Sequence, residues 1–458
     1  MQLRFERALL PGGIAARVLI EVDGDGRIGA IQREVADTGH GFVPGLAVPG
    51  MPNLHSHAFQ RAMAGTAEVR AGPQGSFWGW REVMYRFVEH LAPADVAAIS
   101  AFAYMEMLEA GYTSVAEFHY LHHPQAGQPY DSGVALAEAV RHGARATGIR
   151  HLLLPCLYQQ GNFDGRPLSP LQRRFFNQTV DFIELTARLA AGDTARERTG
   201  VALHSLRAVP PQALAAVAVE AARADRAWPV HIHVAEQARE VTDCVAQYGR
   251  RPVEYLLESG YLNERWCLVH ATHVNATELA GIEASGAVVG LCATTEGNLG
   301  DGRFPLDELL AAGGRYGVGS DSQVSIDPRE ELRLAEYNLR LWRERRVLAA
   351  SATVPHVGAA MWRDAVAGGA QALGFAAAGL AVGAPADIVL IDSGRAEFAG
   401  VADEALLDAW IFAPRAAPVY SVWVGGELLV AGGRHKARTA TEAAYRDSLR
   451  RLKVARPE

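Results

Sequence analysis

The sequence predicts an α/β chain: a distorted (β/α)8 TIM barrel carrying a small β-sandwich domain built from both chain ends. Three observations point to it. Between residues 46 and 375, apolar runs of strand length alternate with helical patterns, the mark of βα units on a parallel sheet. Outside that span, both ends read as short strands joined by tight turns. Single polar residues follow several of the apolar runs, at the strand ends where a barrel gathers its chemistry. The divisions expected are 1–45 for the N-terminal part of the sandwich, 46–375 for the barrel and 376–458 for the C-terminal part.

At the N-terminus, Val18-Leu19-Ile20-Glu21-Val22 runs into Asp23-Gly24-Asp25-Gly26, a hairpin turn signal, and then Ile28-Gly29-Ala30-Ile31. The barrel strands are expected at 46–55, 113–120, 148–158, 199–207, 229–236, 265–273, 287–293 and 316–321. Helical periodicity covers 94–110, closed by Gly111 as C-cap, and also 211–225, 237–249, 329–347 and 357–373. Phe77-Trp78-Gly79-Trp80-Arg81 reads as an aromatic-rich loop after the first barrel strand, and His122-His123 as loop surface. Near the other end, Asp387-Ile388-Val389-Leu390-Ile391 and Tyr420-Ser421-Val422-Trp423-Val424 read as strands. Gly425-Gly426 turns the second into Glu427-Leu428-Leu429-Val430. This shared texture places the two ends in one discontinuous domain.

Composition narrows the function. Of the 458 residues, 49% are hydrophobic, enough for a large core. The formal net charge of -7 offers no basic footprint for nucleic acid or an anionic membrane. No apolar run approaches the ~20 residues of a membrane span, and no basic segment with an apolar core opens the chain. The expectation is a cytoplasmic protein with a small-molecule substrate and neither nucleic acid nor membrane as partner. Cys156, Cys244, Cys267 and Cys292 are far apart, which argues against a disulfide framework or a thiolate zinc site. Lysine occurs only at 436 and 453, outside the barrel.

Chemistry centres on Pro52-Asn53-Leu54-His55-Ser56-His57. Residues i and i+2 of a strand share a face, so His55 and His57 project side by side as two imidazoles able to grip one ion. Strand five ends in His233 and Glu236, strand six carries His270, and strand eight ends in Ser320-Asp321. A lone His or Asp after an apolar strand is more often a structural hydrogen-bonder than a ligand. Four such strand ends meeting at one barrel mouth are more simply a shared site. Three imidazoles and a carboxylate suit a borderline divalent cation, so one Zn²⁺ is expected on His55, His57, His233 and Asp321. Asp321 would also take a proton from water, Glu236 would shuttle it, and His270 either is a further ligand or, the favoured reading, acts beside the metal. His231, two residues before His233, belongs one layer deeper as a hydrogen-bonded core residue. A second metal would need a bridging group such as a carbamylated lysine, and the barrel has no lysine.

These residues resemble the amidohydrolase superfamily, in its mononuclear deaminase branch, over essentially the whole chain. More narrowly, Gly50-Met51-Pro52-Asn53-Leu54-His55-Ser56-His57-Ala58-Phe59-Gln60-Arg61-Ala62-Met63 resembles the formimidoylglutamate deiminases of histidine degradation. So do Ala116-Glu117-Phe118-His119-Tyr120 and His204-Ser205-Leu206-Arg207-Ala208-Val209. The resemblance implies hydrolysis of N-formimino-L-glutamate to N-formyl-L-glutamate and ammonia, and a homodimer. In that scheme Glu236 delivers a proton to the imino nitrogen and His270 stabilises the developing charge.

A substrate with two carboxylates calls for cationic partners, and Arg recognises carboxylates bidentately. Arg207 and Arg81 are the candidates, with Gln60, Tyr120 and His204 as further contacts. Strict strand alternation puts His204 and Arg207 on opposite faces, so both serve only if the strand ends between them. Two rivals stand beside this reading. One is a deaminase of an aminated heterocycle, of guanine or adenine-nucleoside type. The other is a catalytically silent barrel, which should have lost part of the metal set.

Overall fold

The computed structural model describes residues 1–37, 39–68, 77–125, 127–225, 227–413 and 419–454. Four strands open the chain: β1 (Gln2–Leu10), β2 (Gly13–Val22), β3 (Ile28–Gln32) and β4 (Val43–Pro49). The hairpin expected around Asp23 is present, with Glu21 of β2 opposite Ala30 of β3. The barrel strands are β5 (Met51–Ser56), β6 (Tyr112–His119), β7 (Arg150–Leu157), β8 (Glu197–Thr199), β9 (Val201–Leu203), β10 (Val230–Val234), β11 (Trp266–His270), β12 (Val288–Leu291) and β13 (Arg315–Val318). The last four strands are β14 (Ile388–Ile391), β15 (Val419–Val424), β16 (Glu427–Ala431) and β17 (Arg434–His435).

Two sheets result. The first runs β17-β16-β15-β14-β4-β1-β2-β3, so strands of both chain ends pair directly, with Val389 of β14 opposite Val48 of β4. In a flat sheet β1 and β15, three places apart, would lie ~14 Å from each other. Here the rings of Phe5 and Trp423 meet at 5.5 Å, so the sheet curls around its own apolar core. The second sheet closes on itself through β5, β6, β7, β9, β10, β11, β12 and β13, all parallel. β8 and β9 are two pieces of the fourth staff, split at Gly200. Helices cover the outside.

One expected strand is corrected. The run 46–55 is two strands: Leu46-Ala47-Val48 belongs to β4 of the end sheet, and the barrel begins at Met51. The chain crosses at Gly50, where a Cβ would overlap the Thr113 side chain. An apolar run cannot reveal this break, because both halves are buried in adjacent cores. The expected helices are present as Pro93–Ala110, Pro211–Arg223, Ala238–Tyr248, Pro328–Arg343 and Val357–Ala372. The first starts on a proline, the Asp95 carboxylate accepts the Ala92 N–H, and Gly111 closes it at φ +105°. The sheets are joined by a buried bidentate pair, Arg150 of β7 to Asp387 before β14, at 3.0 Å for each contact. Among the described residues, no helix is long and apolar enough to cross a membrane.

Candidate metal centre and active site

β5 and the segment after β13 are laced together by their backbones, and that brings the first ligands into contact. Asp321 N–H donates to His55 C=O at 3.0 Å, and His57 N–H donates to Asp321 C=O at 3.0 Å. Gly319 permits the approach, since a Cβ there would lie 2.8 Å from the His55 carbonyl. Below, Asn53 donates to Ser320 Oγ at 2.6 Å and accepts the Ser320 N–H at 3.1 Å. Gln323 donates to Ser56 Oγ at 3.0 Å, and Ser56 donates to Glu117 at 2.7 Å. The mouth is also strained. Ala235, His270, Ala271, Asp321 and Gln323 all have positive φ, a region costly for residues with a Cβ, and such strain clusters at functional sites.

Four donor atoms converge. His55 Nε2 lies 3.0 Å from His233 Nε2 and 3.4 Å from Asp321 Oδ1. His57 Nε2 lies 3.5 Å from the same oxygen. Ligands ~2.0–2.1 Å from a tetrahedral ion are separated by about 3.3 Å, which these distances match. The second nitrogens orient the rings: His57 Nδ1 is 2.9 Å from Phe118 C=O, and His233 Nδ1 is 2.9 Å from His204 C=O. Each Nδ1–H donates outward, leaving the Nε2 lone pair turned inward. Burial lowers the pKa of all three histidines, His55 to about 3, so the imidazoles are neutral as ligation requires. Burial pushes Asp321 up, but the hydrogen bond with His55 and the positive charge of His270 oppose it, and the carboxylate lies below its usual range. The donor set therefore fits a divalent ion.

His270 stands on the carboxylate side. Its Nε2 is 3.8 Å from both Asp321 and Glu236, and its Nδ1 is 3.1 Å from Glu296 Oε1. Burial would lower its pKa, but the charge of Glu236, the hydrogen bond to Glu296 and the charge of Asp321 prevail and raise it to about 10. Glu236 is raised to about 7, mainly by burial, against the opposing charges of His270 and Arg207.

One cavity is lined by His57, His233, Glu236, His270 and Asp321 together with Gln60, Arg81, Tyr120, His204 and Arg207. All five residues expected to meet substrate thus face the histidine cluster. Strand four ends at Leu203, before both His204 and Arg207, so alternation does not separate them. Arg81 is corrected in setting: it lies on the helix Phe77–Val88, not in a loop, with its guanidinium over the Tyr85 ring. His122 and His123 are also corrected. Both are buried, with Nε2 atoms bonded to Cys156 C=O and Phe176 C=O, because the loop that carries them is roofed by the segment around Arg174. His231 is the core hydrogen-bonder expected, 2.9 Å from Ala372 C=O.

Sequence reasoning missed Glu296, which accepts a hydrogen bond from His270 Nδ1, and Glu240, which accepts the backbone N–H of Ala235 and Glu236. It also missed Tyr85, Tyr158 and Phe175 on the cavity wall. The only available signal was position, since Glu240 follows Glu236 by four residues at the start of a helix.

The amidohydrolase family model matches residues 46–429. The chain belongs to the amidohydrolase family. As such it is a hydrolase of C–N bonds. Among amidohydrolases, a formimidoylglutamate deiminase of Pseudomonas aeruginosa is 47% identical over 96% of this chain and 97% of its own. An 8-oxoguanine deaminase of the same organism is 31% identical over 78% of this chain and 77% of its own. The crystal structure of an amidohydrolase from Brucella melitensis superposes with a TM-score of 0.93 at 42% identity, covering 98% of this chain and 99% of that one.

Proposed function

We propose that this amidohydrolase is a zinc-dependent deiminase that hydrolyses N-formimino-L-glutamate to N-formyl-L-glutamate and ammonia, a step of histidine degradation. The observation that carries the reading is that His57, His233 and Asp321, clustered with the deeper His55, line one cavity together with two guanidinium groups, Arg207 and Arg81. A substrate with a carboxylate at each end of a short chain and an amidine-like group between them and the cluster needs that combination. The 47% identical formimidoylglutamate deiminase supports the substrate.

His55, His57, His233 and Asp321 would hold the ion. When bound, a divalent ion supplies Lewis acidity that lowers the pKa of a water to about 7. Asp321, ionised, accepts a proton from the attacking water. Glu236, with its pKa near 7, can take up that proton and release it to the imino nitrogen at neutral pH. His270 donates from Nε2 toward the oxygen on which charge develops. A C–O bond forms at the formimino carbon as the C=N bond becomes single; the remaining hydroxyl proton then passes by the same carboxylates to that nitrogen, the C=O bond forms, the C–N bond breaks and ammonia leaves. Arg207 and Arg81 take the carboxylates, with Gln60, Tyr120 and His204 as further polar contacts.

The aromatic wall of Tyr85, Tyr120, Tyr158 and Phe175 favours a second reading, a deaminase that stacks an aminated heterocycle. A substrate panel on zinc-loaded protein, scored by ammonia, separates the two. The expected result is turnover of N-formimino-L-glutamate, none of guanine or adenosine, and loss of activity on chelation that added zinc restores. Turnover of a heterocycle alone would overturn the proposal. Protein that purifies without metal and stays inactive with zinc would favour the silent barrel.

A further inference from the structure

Glu240 is a buried carboxylate that the scheme above leaves unused. It sits in the first turn of the helix Ala238–Tyr248, only 1% exposed, directly behind the end of β10. Its two oxygens accept different backbone groups, Ala235 N–H at 3.3 Å and Glu236 N–H at 3.2 Å. Those two residues form the turn that leaves the strand, and Ala235 is held there at φ +50°. Glu240 Oε2 also lies 3.9 Å from Arg207 Nε, while Arg207 Nη2 lies 4.0 Å from Glu236 Oε2. The buried guanidinium is therefore shared between two carboxylates and closed onto neither, since a direct ionic hydrogen bond would measure ~2.8 Å.

We propose that Glu240 is a positioning residue that acts through Glu236 and Arg207. Its backbone contacts hold the left-handed turn that aims Glu236 into the cavity, and its charge keeps Arg207 from collapsing onto Glu236. The proposal rests on the reading of Glu236 as proton carrier and Arg207 as carboxylate ligand. The two parts of the role are separable. Glu240→Gln removes the charge, so Arg207 closes on Glu236, and both substrate binding and proton transfer suffer. Glu240→Asp keeps the charge but, one methylene shorter, withdraws from the backbone N–H groups, so the turn loosens while Arg207 stays balanced.

The test uses full-length, zinc-loaded protein with N-formimino-L-glutamate. Both variants should keep the zinc content of the wild type. Glu240→Gln should raise KM about tenfold and lower kcat about tenfold. Glu240→Asp should lower kcat about tenfold with KM within about twofold, and amide exchange at Ala235 and Glu236 should quicken about tenfold with the rest of the chain unchanged. Wild-type kcat, KM and exchange in both variants would overturn the proposal. So would equal losses in both that track loss of zinc and a general rise in exchange, which is what a merely structural role predicts. Should Glu240→Gln not fold, Glu240→Asp and its local exchange still decide. If wild-type protein leaves N-formimino-L-glutamate intact, the substrate reading fails, whereas the exchange measurement still judges Glu240.

Discussion

The barrel mouth and the sheet built from the chain ends hold their shape by different means. In the end sheet, the residues forced to positive φ, Arg17 and Glu34, lie exposed at the surface. Its interior is apolar: Phe5, Ile20, Ile388 and Leu390 are fully buried. At the mouth the strained residues are themselves buried, and Asp321, Glu236, His270 and Arg207 sit among them with their charges balanced against one another. Buried charge is costly unless paired, so the mouth is sustained by the packed structure around it and adds little to stability. Among the described residues, no strand residue of the end sheet lines the cavity. Function and stability should therefore be separable by mutation.

The largest effect should come from the mouth. Glu236→Gln is expected to lower kcat by about 10²–10⁴-fold, with zinc content and melting temperature near wild type. Turnover close to normal, measured as ammonia release, would remove Glu236 from the scheme. The converse change lies in the end sheet. Leu390→Ala empties a fully buried site and should cost about 2–5 kcal/mol in denaturant unfolding, while the folded enzyme keeps its kcat. A large fall in kcat there would mean that the two regions are coupled.

The smallest effect concerns pH. Burial, against the hydrogen bond that His122 donates to the Cys156 carbonyl, lowers the pKa of His122 to about 4, below the ordinary 6.5. The unfolded chain then binds a proton that the folded chain refuses. The stability His122 contributes is complete above pH 6.5 and is lost as pH falls toward 4, by up to about 1.4 kcal/mol per pH unit. His122→Asn should flatten the acid limb of the stability–pH curve by up to one proton, read by urea titration at several pH values. An unchanged slope would show that His122 takes up its proton without opposing the fold.

Much of the site was legible because its chemistry sits at strand ends. His55, His57, His233, His270 and Asp321 each follow or close an apolar run, and a parallel barrel must carry those ends to one rim. Arg207 and His204 were readable on the same ground, although their strand ends earlier than the apolar pattern suggests. Glu296 and Glu240 were not, because each is an acidic residue in the first turn of a helix, where stabilisation of the helix alone would account for it. The burial of His122 was equally hidden, since polarity cannot show that the segment around Arg174 lies over it.

The order of the residues by itself determined the alternation of strands and helices, the strand texture of both chain ends and the cast of side chains at the rim. Those follow from periodicity and turn chemistry, which act over a few residues at a time. Only the tertiary structure decided where the chain leaves one sheet for the other, at Gly50, and which carboxylate serves His270, Arg207 and Glu236. Such choices depend on distances between segments far apart in sequence, and on which charges the packing leaves without water.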